Sequence, residues 1–156
     1  MRLCTFEVST LLGTQSRLGA VIPGGIADLN AACAWHLGLK GETRPYRLAG
    51  AIVPPDMLEF LRGGDTSMTF ARATREHLNA ECAKGVPLTG RKGGRLLFAA
   101  PEIRLLAPLP RPTSMRDFYT FEGHVKKGFE KRGEPMPEEW YKFPVYYKGN
   151  HASING

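Results

Sequence analysis

The chain has 156 residues, 42% hydrophobic and 23% charged, about one domain's worth of ordinary globular sequence, which excludes a disordered, collagenous or coiled-coil chain as a whole. Twenty-one Lys and Arg against 15 Asp and Glu leave a net charge of +6. No run approaches the roughly 20 apolar residues that span a bilayer, and Glu7 interrupts what would be the core of a signal peptide, so a cytoplasmic chain with no membrane partner is expected.

In chain order, residues 2–8 alternate Cys4, Phe6 and Val8 with Leu3, Thr5 and Glu7, and RLGAVI at 17–22 follows a turn containing Gly13. This pattern predicts a β-hairpin. Pro23-Gly24-Gly25 reads as a second turn, 26–29 as a short strand, and Asn30 as the N-cap of a helix through AACAWHLGL. From Lys40 to Ala51 the apolar period is lost, as in a surface loop. Pro54 and Pro55 suit the first turn of a helix through Met57 and Phe60, closed by Gly63-Gly64. The clearest helix is 66–83, capped by Asp65 or Thr66, where Met68, Ala71, Arg75, Leu78 and Cys82 share one stripe. Strands are expected at 96–100 and 103–109. Pro108, Pro110 and Pro112 then impose an extended linker near 107–114, the boundary between a domain at 1–110 and a segment at 111–156.

The charge pattern bears on partners. Residues 116–148 hold seven basic and six acidic side chains, so the lysine-rich region is nearly neutral. The local excess at Arg91, Lys92 and Arg95 lies in a Gly-rich turn and reads as a solvated hairpin tip; Gly90–Gly94 is not followed by the Gly-Lys-Ser/Thr pattern and helix of a phosphate loop. No nucleic-acid partner is expected, while a basic surplus suits the attraction of small anionic carboxylates. Cys4, Cys33 and Cys82, odd in number and without C-x-x-C spacing, support neither a disulfide framework nor a zinc knuckle and read as small buried apolar residues. Trp35 and Trp140 read as apolar anchors, and His36 and His77 as structural or surface residues.

Beyond the linker, SMRDFYTFEGHVKKGFEKRG has acids early and bases late, the order a helix macrodipole favours. Ser114 is its candidate cap, and Gly133 and Pro135 end it. A helix over 117–131 would place Phe118, Val125 and Phe129 on an apolar stripe and Asp117, Phe121, His124 and Gly128 on the neighbouring face. Asp117 and His124 would then be two turns, roughly 10 Å, apart: too far to bond each other, but suited to a metal ligand and a base at opposite ends of one small substrate.

DFYTFEGH at 117–124, followed by MPEEWYKFPVYYKGNHAS at 136–153, resembles the lid segment of the fumarylacetoacetate hydrolase family, with its Asp-Phe-Tyr-x-x-x-x-His and Pro-Val-x-Tyr-x-Gly elements. RLGAVIPGGIADLNAA and LLAPLPRP are similar, less specifically, to the family's smaller N-terminal domain. The resemblance implies an α+β fold: a small mixed N-terminal domain, then the lid helix and first strand of a β-roll. It implies that Asp117 is a metal ligand, His124 the general base, and Tyr119 and Tyr147 substrate contacts, with His151 a further candidate in the following loop. The implied cofactor is a divalent metal, Mg²⁺ before Mn²⁺ or Ca²⁺. The implied substrate is a small anionic 2-oxo or 2,4-dioxo carboxylate, acted on by a hydrolase or isomerase, commonly a homodimer. Smaller members carry Glu where Lys127 stands here, and the family's remaining metal ligands follow well after the Tyr-x-Gly element. The 156 residues are therefore expected to be the front half of such an enzyme; the alternative is a non-catalytic truncated module.

Overall fold

The computed structural model describes residues 1–85, 88–90 and 93–154. The chain divides after Pro110 into two compact units, Met1–Pro110 and Arg111–Ile154. The fold class is α+β.

The first unit opens with β1 (Leu3–Thr10) and β2 (Gly13–Ile22), paired antiparallel from Leu3 opposite Ala20 to Thr10 opposite Gly13. The predicted hairpin is present and tighter than its sequence signal, with only Leu11 and Leu12 in the turn. Strand β3 (Gly25–Asp28) pairs with β2, the short β4 (Leu97–Phe98) with β3, and β5 (Arg104–Leu106) with the outer side of β1. The order is β4-β3-β2-β1-β5. The consecutive strands β4 and β5 thus close opposite edges of one antiparallel sheet.

Alternation gives the sheet two working faces. On one, Leu18 and Ala20 join Leu29, Cys33 and Leu37 of α1 (Leu29–Leu39), Ala49 of α2 (Pro45–Ile52), Phe60 of α3 (Met57–Arg62) and Ala71 of α4 (Gly64–Cys82). On the other, Phe6, Ile26 and Phe98 pack with Cys4, Val8, Val21 and Ile103.

Several expectations are corrected. The cap of α1 is Asp28, whose Oδ1 accepts from the Ala31 amide at 3.0 Å; Asn30 instead donates to the Val53 carbonyl at 2.8 Å. Residues 45–52 form a helix where a loop is expected, because Pro45 presets its first turn and the helix buries Pro45 and Ala49 and packs Ile52 against the core. Pro54 and Pro55 lie outside α3, which Asp56 caps through the Glu59 amide. Helix α4 follows Gly63 with no side-chain cap, and its buried stripe is Ser67, Ala71, Thr74 and Leu78. Of the cysteines only Cys33 is buried; Cys4 and Cys82 are half-buried. Arg91 and Lys92 lie outside the described residues, but Thr89 bridges Arg95 and the Gly90 amide bonds the Gly94 carbonyl, a hairpin pattern. Arg95 is paired with Glu102 at 2.6 Å and covers the Phe98 ring.

Two glycines give opposite expectations. Gly25 sits at φ +147°, and a Cβ there would lie 2.3 Å from the Phe98 carbonyl oxygen, so Gly25→Ala must push β4 off β3, costing about 1–3 kcal/mol. Gly50, inside α2, has nothing within 4 Å of such a Cβ, and Gly50→Ala is expected to stabilise by about 0.5–1 kcal/mol. Urea unfolding of the two variants should displace the midpoint in opposite directions.

Candidate functional site

The second unit is built on a two-stranded ribbon, β6 (Met115–Phe118) with β7 (Tyr146–Gly149). Its register sets Met115 opposite Gly149, Arg116 opposite Lys148, Asp117 opposite Tyr147 and Phe118 opposite Tyr146. The expected helix over 117–131 is corrected here: Asp117 and Phe118 are strand residues, and α5 runs from Glu122 to Arg132. Ser114 is not its cap but accepts a hydrogen bond from Arg116 at 2.9 Å. The helix ends as expected at Gly133, in the left-handed region at φ +68°.

Successive strand residues face opposite ways, so the pairs divide cleanly. Phe118 and Tyr146 stack at 5.2 Å between ring centroids, and the Arg116 guanidinium lies over Tyr146. Asp117 and Tyr147 occupy the other face. The Tyr119 amide donates to the Val145 carbonyl at 2.9 Å and prolongs the ladder. Trp140 Nε1 donates to the Tyr119 carbonyl at 2.7 Å, tying the 3₁₀ turn Glu138–Tyr141 to the ribbon. Trp140 therefore holds a polar contact as well as an apolar one, a role foreseeable from the indole N–H, which seeks a partner when half-buried. Beside it, Tyr141 donates its hydroxyl to Glu122 Oε1 at 2.8 Å, and that bond to a carboxylate raises the phenol's pKa.

Two cavities of about 250 Å³ each flank Tyr119. One is lined by Asp117, Tyr119, Val145, Tyr146 and Tyr147; the other lies among Tyr119, Trp140, Phe143 and Val145. Three of the four expected site residues, Asp117, Tyr119 and Tyr147, thus meet around one small space. His124 lines neither. It stands exposed in the first turn of α5, and its imidazole has no hydrogen-bond partner among the described residues. His151 is exposed in the turn after β7. A larger cavity of about 520 Å³ lies in the first unit, but apart from Asn79 and Cys82 its walls offer only apolar side chains and glycine. Chemistry therefore favours the smaller space over the larger.

The donor set is short for a metal. Mg²⁺ takes near-octahedral oxygen coordination and sheds water reluctantly, and among the described residues no three His, Cys, Asp or Glu side chains converge. Asp117 by itself does not make a site. No described helix is long and apolar enough to cross a membrane.

An α+β first unit and an aromatic ribbon carrying one carboxylate and two phenols define the chain by its architecture and its chemistry. No protein-family model and no curated protein matches it.

Proposed function

We propose that this chain supplies part of the site of a fumarylacetoacetate-hydrolase-type enzyme, a hydrolase or isomerase acting on small 2-oxo or 2,4-dioxo carboxylates. The observation that supports this reading is the register that sets Asp117 opposite Tyr147, with Tyr119 on the same cavity. For a 2,4-dioxo acid the hydrolysis balances without a redox partner. Water adds its oxygen to the C4 carbonyl and the C3–C4 bond breaks. Its electron pair passes to C3 as the enolate of a 2-oxo acid, and a proton returns to C3. His124 takes the proton from water as it attacks. The Tyr119 and Tyr147 hydroxyls donate to the oxygens on which negative charge develops. Because Asp117 alone does not hold a divalent cation, the metal such enzymes use would need ligands from outside these 156 residues.

The exposed apolar side chains of the ribbon unit favour a second reading, a non-catalytic interaction module. Phe121 is 77% and Tyr147 74% exposed, with Phe118 and Phe143 also open, and apolar surface of this kind marks an interface. The two readings part in one pair of measurements. The native polypeptide carrying this sequence should consume a 2,4-dioxo acid in the presence of Mg²⁺, followed by loss of the enol absorbance. The 156-residue chain by itself should bind Mg²⁺ no tighter than the millimolar range in calorimetry, roughly −4 kcal/mol. A native polypeptide inert towards every such acid overturns the enzyme reading, and a micromolar Mg²⁺ constant for the short chain overturns the ligand count.

A further inference from the structure

The contact between α1 and α4 holds two histidines that the proposed chemistry does not use. His36 of α1 is 7% exposed, and its Nδ1 is sealed from solvent without a hydrogen-bond partner. Its ring meets that of His77 of α4 edge to face, 5.0 Å between centroids. The His77 ring also packs on Trp35, at 4.9 Å, and its Nε2 is likewise buried and unpartnered. Around them Ala32, Leu78, Trp35 and Cys82 pack into one apolar cluster with Ile22 and Leu96 of the sheet side.

We propose that this contact is an acid-sensitive latch: with both imidazoles neutral the helices stay packed, and a proton on His36 loosens α1 from α4. The geometry makes the two histidines unequal. A charge on His77 can lie against the Trp35 face, a cation–π arrangement, and Glu81 is close enough on α4 to sense it. A charge on His36 finds neither. Nδ1–H would have no acceptor, and a buried donor left unmade is costly.

The charges that act on His36 work in the same direction. Lys40 of α1 and His77 of α4 both oppose a proton on His36, and burial opposes it more than either, so its pKa lies below the ordinary histidine value. Glu81 is engaged by Lys84. Arg75 of α4 keeps a fixed positive charge and a buried, unpartnered Nε. The Cys33 thiol, pushed up by burial, stays neutral, and the sheet side contributes apolar residues. Glu81, which senses His77, does not act on His36, so among the described residues no carboxylate offsets the cost of a proton there.

The sign follows from linkage. A histidine whose folded pKa is depressed binds its proton more readily in the unfolded chain, so its contribution is complete above the unfolded value of about 6.5 and is lost as the pH falls below it. Between about 6.5 and the folded midpoint of His36, the folding constant should drop up to tenfold per pH unit, read as roughly 5 °C of melting temperature.

The test uses the full 156-residue chain with Trp140→Phe, which leaves Trp35 as its only tryptophan. From pH 8 to pH 5 its melting temperature should fall along this slope, and Trp35 emission should shift to the red before the chain unfolds. His36→Gln in the same background should flatten both responses. His77→Gln, which removes the opposing charge, should move the midpoint up towards 6.5 but not past it. If His36→Gln does not fold, the imidazole Cε1–H resonances of the unaltered chain decide the matter. A His36 titrating at or above the ordinary value overturns the latch, as does an unchanged acid slope in a folded His36→Gln.

Discussion

Asp28→Ala is expected to cost the first unit about 2–4 kcal/mol, the largest effect of any single side chain outside its apolar core. Asp28 is 5% exposed, and its two oxygens do different things. Oδ1 caps α1 through the Ala31 amide, a contribution of about 1 kcal/mol. Oδ2 accepts from Arg17 Nε at 2.7 Å, with the Arg17 side chain only 20% exposed. Removing the carboxylate leaves a half-buried guanidinium whose remaining contact is a 3.3 Å bond to Asn30 Oδ1, and stranding one member of a buried pair costs more than the pair itself contributes. Asp28→Asn keeps an acceptor for the cap and should recover about 1 kcal/mol of the loss. Urea titration reads these differences directly. A cost below about 1 kcal/mol for Asp28→Ala would mean that Arg17 finds solvent unaided and that the network adds little.

The same residue shows where the sequence stops being legible. Asp28 and Asn30 are both good N-cap types, and local sequence has no means of choosing between them. The choice is made by the sheet: β3 remains paired through Asp28, opposite Gly19, and the helix begins at once at Leu29, so Asn30 falls inside its first turn and is left to bridge Arg17 and Val53. The hairpin of β1 and β2 is legible because its pairing is local and its alternation faces two apolar layers. Helix α4 is legible because nineteen residues give the period time to emerge. Helix α2, with eight residues and two buried side chains, does not.

The ribbon fails for the opposite reason. Phe118, Val125 and Phe129 carry a convincing 3.6-residue period, and the acids precede the bases, so 117–131 reads as one helix. What makes 115–118 a strand is β7, some thirty residues on, and no local pattern reports a distant partner. The candidate site shares that fate. That Asp117 and Tyr147 belong together is visible in the sequence only through the resemblance of two separated elements, and that they stand on one face of a ribbon is not visible there at all. Trp140 and Tyr141, which tether the ribbon through Tyr119 and Glu122, carry no spacing signal beyond their own polar atoms.

If the proposed hydrolase reading holds, His124→Ala should lower kcat of the native polypeptide by about 10²–10⁴, the usual contribution of a positioned general base, while leaving its melting temperature within a degree or two. The two halves of that expectation rest on different facts. Stability is spared because the imidazole is exposed and has no partner among the described residues; its neighbour Val125, 1% exposed, is what anchors α5. On the proposed reading activity suffers because the cavity of Asp117, Tyr119, Tyr146 and Tyr147 offers three phenols and a carboxylate but no histidine, so a base must be brought to it. His124 stands five residues from Tyr119 in sequence, in the first turn of α5 just past the short Tyr119–Phe121 link. Lys127 follows one turn later and cannot orient the imidazole as a carboxylate would, so a water or a residue from elsewhere must fix the tautomer. His124→Gln, which keeps a polar side chain of similar reach but cannot take a proton, should be as inactive as the alanine variant. If instead the alanine variant keeps kcat within tenfold, the proton goes elsewhere, and His151→Ala becomes the variant in which the loss should appear.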